Sequence, residues 1–121
     1  LYTETSSPNT SSTTFGYLLA TNNVPGNKTV KVEFWYHMYG SNMGTMTIGF
    51  GEDVPGGYTQ YGSVTYGPGQ IQSSQGAAWL KSSNTYSNSS STRENYVSLY
   101  YISNNGFRGD ACFDSLEVSY T

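Results

Sequence analysis

Thr29-Val30-Lys31-Val32-Glu33-Phe34-Trp35-Tyr36-His37-Met38 is the stretch whose pattern decides the fold. Side chains of a strand alternate between its two faces, so period two puts Val30, Val32, Phe34, Tyr36 and Met38 on one side. Lys31, Glu33, Trp35 and His37 take the other. The turn of a helix would scatter both sets. Gly44–Gly51 repeats the pattern with Met46, Ile48 and Phe50. In Asn95–Ser103, Val97, Leu99 and Tyr101 oppose Tyr96, Tyr100 and Ile102. Ala111–Tyr120 sets Cys112, Asp114, Leu116, Val118 and Tyr120 against Ala111, Phe113, Ser115 and Glu117, which predicts Asp114 on the apolar face. Leu1–Thr5, Gly16–Thr21, Ser63–Tyr66 and Ala77–Lys81 are shorter candidates.

Turn clusters separate these runs, among them Ser6–Thr13, Asn22–Asn27, Gly40–Gly44, Glu52–Gly57, Gly67–Gly69, Asn84–Ser91 and Asn104–Gly106. Ser82–Thr92 is of low complexity and reads as a surface loop. Many short strands between turn signals, with no helical period, predict an all-β, antiparallel β-sandwich or jelly roll. The length of 121 residues and the lack of internal repeats predict one domain, 1–121.

Composition narrows the function classes. Charged residues are 11% of the chain, against about a quarter in an average domain. Five Lys and Arg against eight Asp and Glu leave no basic patch, so no nucleic-acid partner is expected. No apolar run approaches the roughly 18 residues of a membrane helix. Aromatics at 16% argue for an ordered core. The chain begins at Leu1 and is expected to be a piece of a longer protein. Its Ser, Thr, Asn and Tyr content points outside the cell, and Asn9, Asn27 and Asn88 open N-x-[ST] triplets.

Catalytic residue types are sparse. His37 is the one histidine and sits in a dense aromatic strand, where a structural hydrogen bond is the plain reading. Cys112, the one cysteine, allows no internal disulfide and reads as a small apolar residue. Asp110 and Asp114 are four apart, about 13 Å along a strand, too far for a direct pair. Asp110 suits loop hydrogen bonds. Asp114 has two readings, a ligand of an oxygen-coordinated cation or a hydrogen-bonded carboxylate. Tyr39, Tyr58 and Tyr61 fall in or beside turns, where rings present apolar area with a polar tip, and Trp79 joins them as a candidate contact residue.

The run Phe34-Trp35-Tyr36-His37-Met38-Tyr39-Gly40-Ser41-Asn42-Met43-Gly44-Thr45 closely resembles the central signature of MAM domains. Leu1–Pro8 is similar to that family's Y-x-Y-x-E-x-S-S-P segment. Gly106-Phe107-Arg108-Gly109-Asp110-Ala111-Cys112-Phe113-Asp114-Ser115-Leu116 is similar to its G-x-x-G-D-I-A-L-D-D-I closing strand. The resemblance implies a jelly-roll β-sandwich, galactose-binding-like in type, within an extracellular multidomain protein. It implies a non-catalytic module for adhesion or protein–protein interaction. It also implies one structural Ca²⁺ or Na⁺, with Asp114 as a ligand and Glu4 as a weaker match. The family's paired cysteines are missing, and Ser115 replaces its second closing Asp. The family's earlier strand segment also lies outside this sequence, which implies an open sheet edge able to pair with another strand.

The resulting expectation is a secreted or cell-surface binding module, not an enzyme, with other protein chains as partners. A carbohydrate-binding module attached to a secreted hydrolase is the alternative, and exposed Trp79 or coplanar tyrosines would favour it. A structural subunit of a fibre or surface layer is the third reading.

Overall fold

The computed structural model describes Tyr2, Thr3, Thr5, Ser7 and residues 12–106 and 108–121, with the Asn22 side chain excepted. Glu4 and the Asn9 triplet lie outside the described residues. Seven strands form two antiparallel sheets: β1 (Thr14–Val24), β2 (Thr29–His37), β3 (Thr45–Val54), β4 (Gly57–Tyr66), β5 (Leu80–Ser87), β6 (Arg93–Ile102) and β7 (Cys112–Tyr120). The larger sheet has the order β1-β6-β3-β4 and the smaller β5-β2-β7. They face each other as a β-sandwich. Among the described residues no helix is long and apolar enough to cross a membrane.

The alternation read from β2 is the inner wall of the sandwich. Val30, Val32, Phe34, Tyr36 and Met38 are buried and meet Met46, Ile48, Phe50, Val97, Leu99 and Tyr101 from the larger sheet. Burial of such aliphatic and aromatic side chains contributes about 1.5–3 kcal/mol each before ordering costs. Tyr66 adds an edge-on contact to Phe34 and packs at 4.6 Å between centroids on Tyr36.

Two sequence expectations fail, each for a tertiary reason. The stretch expected as a loop from Ser82 is strand as far as Ser87, because β5 pairs with β2 from Tyr36↔Leu80 to Thr29↔Ser87. Its polar inner residues are satisfied in place: Ser82 is buried and lies 2.6 Å from the Tyr66 hydroxyl, and Asn84 donates to Ser82 Oγ at 3.0 Å. Tyr86 stacks on Phe50 at 4.9 Å.

The second correction is to the faces of β7. The register with β2 slips between Glu33 and Trp35, and Ser115 takes φ 55°, a left-handed conformation. That bulge inserts an extra residue and flips the alternation. Phe113, Leu116 and Val118 therefore pack on the core, and Asp114 is exposed on the outer face opposite Trp35.

Candidate functional site

The Gly40-Ser41-Asn42-Met43-Gly44 turn after β2 shapes one end of the sandwich. A side chain at Gly40, whose φ is +152°, would collide with the Arg108 carbonyl, and one at Gly44 with the Ile102 carbonyl. The turn can therefore lie directly on the 102–109 backbone. Asn42 N–H donates to Arg108 O at 3.0 Å. Tyr101 Oη donates to Gly109 O at 2.5 Å and accepts from Gly44 N–H at 2.6 Å, and burial pushes this phenol up. The 67–79 connection is fastened to the same end. Gln72 accepts from Met38 N–H at 2.7 Å and donates to Tyr36 O at 3.1 Å.

These segments enclose an open polar cleft of about 570 Å³. His37, Tyr39 and Ser41 line it from the end of β2, Gln70 and Gln75 from the 67–79 connection, and Arg108, Asp110, Cys112 and Tyr2 from the far side. The titratable groups here are tied to the fold. His37 Nε2 stands 3.2 Å from Ala77 O. Asp110 Oδ1 accepts from Thr5 N–H at 2.7 Å and from Thr5 Oγ1 at 2.9 Å. Burial, with the Asp110 carboxylate adding to it, pushes the Cys112 thiol up, away from the nucleophilic thiolate. Sequence reading had treated His37, Asp110 and Cys112 as separate structural residues. Their shared position follows from the His37↔Cys112 pairing of β2 with β7.

The sequence-predicted contact residues divide between two places. Tyr39 lines this cleft, and Trp79 flanks it with its ring 5.8 Å from that of His37. Tyr58 and Tyr61 lie on β4, away from the cleft. Tyr58 packs edge-on against Tyr96 at 6.0 Å. Tyr61 reaches toward the opposite end, where it donates to the buried Glu52 carboxylate and packs on Tyr86 at 5.7 Å. Buried Asn95 and Asn88 extend that second cluster. Tyr86 donates to Asn95 Oδ1 at 2.8 Å, Asn95 donates to Asn88 Oδ1 at 3.0 Å, and Asn88 donates to Val24 O at 3.0 Å. Ser89 N–H lies 3.4 Å from Glu52 Oε2. At this end Arg93 Nε is buried with no hydrogen-bond partner among the described residues.

The described residues do not assemble the expected cation shell at Asp114. Its Oδ1 accepts from Ser115 N–H at 2.8 Å, and it is exposed. Among the described residues no group of three His, Cys, Asp or Glu side chains converges. Glu4, the other expected ligand, lies outside them.

A third feature runs down one side. Among the described residues β1 pairs only with β6, while β7 pairs with β2 and, on its other edge, makes a single bridge from Cys112 to Tyr2. Thr3 N–H donates to Ala111 O at 2.8 Å, continuing that contact. Between the two edges lie cavities of about 250, 240 and 410 Å³ in succession. Phe15, Leu19, Phe113, Leu116 and Val118 line them, packed on the core yet half-covered, together with exposed Tyr17. No protein-family model matches the chain, and no curated protein matches it either.

Proposed function

We propose that this chain is a non-catalytic binding module of a larger extracellular protein and engages other protein chains through the seam between β1 and β7. The observation that carries this reading is the outer edge of β7. Tyr2 and Thr3 pair antiparallel with Cys112 and Ala111, and among the described residues Leu116–Tyr120 lies in a strand whose only ladder is with β2. An unpaired edge carries a row of main-chain donors and acceptors, and the apolar seam beneath would take alternate side chains of an added strand. The MAM-like signature supports the same module type, and so does the commitment of His37 and Asp110 to structural hydrogen bonds.

Light scattering combined with amide hydrogen exchange tests the reading. The expected result is a mass that rises above 13.2 kDa with concentration, with protection over Phe113–Tyr120 rising in step. A monomer whose β7 amides are as protected as those of central β2 would overturn it, because that pattern means a closed edge.

A further inference from the structure

The chain has two tryptophans, and neither is in the core. Trp35 and Trp79 are each 41% exposed, although the interior is filled with Met, Phe, Val and Tyr. A large aromatic side chain left in water is informative where several occur together. These two occur together. Trp35 projects from the outer face of β2, with Lys81 of β5 opposite it on one side and Asp114 of β7 on the other. Trp79 lies two residues before Lys81, and its ring is tilted against that of buried His37, which follows Trp35 on the same face of β2.

Polar groups surround the two rings in balanced sign. Glu33 accepts from Lys81 at 3.1 Å and from Lys31 at 3.4 Å, and Lys81 stands 6.0 Å over the Trp35 ring. Beyond Trp79 and His37 the surface drops into the polar cleft, with Tyr39, Gln70 and Gln75 on its walls.

We infer that this outer face is a carbohydrate-binding site for a neutral oligosaccharide chain, lying over Trp35 and Trp79 with one end in the cleft. A pyranose ring has a face of C–H bonds that sits well on the electron-rich face of an indole, and a rim of hydroxyls. The hydroxyls need donors and acceptors: the amides of Gln70 and Gln75 in the cleft do both, and the Asp114 carboxylate opposite Trp35 accepts. The charge balance disfavours polyanions. A protein partner would bury a central apolar pocket, whereas here the concave part is lined by Ser41, Gln70, Gln75, Arg108 and Asp110. This inference stands on the smaller sheet's outer face and does not depend on the seam.

Intrinsic fluorescence is a direct reporter, because both emitting tryptophans belong to the site. The full chain is titrated with soluble galactomannan, xyloglucan and β-1,3-glucan and screened on a glycan array. The expected result is a saturable fluorescence change with at least one glycan, and at least a tenfold weaker affinity in both Trp35→Ala and Trp79→Ala, measured by calorimetry. Both variants keep the wild-type circular dichroism spectrum, since neither ring is in the core. Leu18→Ala, on the outer face of the larger sheet, binds as wild type. No saturable response to any glycan overturns the inference. So does a response that survives both tryptophan substitutions. Either failure leaves the light-scattering test of the seam untouched.

Discussion

The two ends of this sandwich are built from the same residue types and use them in opposite ways. At one end Tyr86, Glu52, Asn88 and Asn95 form a mostly covered polar cluster, joined by exposed Tyr61, whose hydrogen bonds are spent on one another and on the backbone. At the other, Tyr2, Tyr39, Gln70 and Gln75 border open space. A tyrosine, an amide or an acid thus says little about its role until its surroundings are known. Covered polar groups are costly to leave unpaired, so the first end specifies the fold. Groups that stay in water keep their bonding capacity, so the second end can bind.

Substitution should expose that contrast most strongly at Asn95. Asn95→Ala removes the acceptor of the Tyr86 hydroxyl and the donor to Asn88 Oδ1, and is expected to cost about 3 kcal/mol in urea unfolding. The same truncation at Gln75 in the cleft is expected to stay within about 0.5 kcal/mol. Equal losses at the two sites would erase the distinction.

Gly40→Ala probes how the open end is held. Its methyl would meet the Arg108 carbonyl, and the left-handed φ adds strain. The expected loss is about 2 kcal/mol, read as a lower Tm. A neutral result would mean that the turn can lift off the 102–109 segment without consequence.

The covered end should also answer to alkali. Burial, reinforced by Tyr58 and Glu52, pushes the Tyr86 phenol well up. A raised folded pKa favours the protonated phenol in the fold. Its contribution is therefore complete below the unfolded value of about 10 and is lost as pH rises beyond it. Tyr86→Phe should flatten the fall in stability between pH 9 and 11. An unchanged slope would assign that fall to Tyr36, Tyr58 and Tyr101, whose phenols burial also raises.

The smallest effect is expected at Asp114. Asp114→Asn, exposed and bonded only locally among the described contacts, should shift stability by less than about 0.5 kcal/mol. A Tm that rises with Ca²⁺ in the wild type but not in the variant would instead give Asp114 the cation role that the MAM resemblance implies.

How far the sequence could be read depended on whether the signal was local. Phe34 and Ile48 sat on their predicted faces because period two is a property of the strand itself. Asp114 did not, since one left-handed residue, Ser115, moved it to the outer face. A serine does not advertise a bulge. The β5 residues Ser82 to Ser87 were illegible for another reason. Their polar composition matches a loop, and only pairing along β2 makes them a strand. Tyr39 and Trp79 were legible as contact candidates, but Tyr58 and Tyr61 were indistinguishable from them in one dimension. Trp35, the other half of the exposed pair, was legible only as a residue on the polar face of β2.

The amino-acid sequence alone determined that this chain is a β-sandwich, because alternation and turn chemistry act between near neighbours along the chain. The tertiary structure alone decided which tyrosines are covered and that His37 meets Cys112. It alone left both Trp35 and Trp79 exposed outside the core. Those facts depend on strand register and on which face each sheet turns inward, and both are settled between segments tens of residues apart.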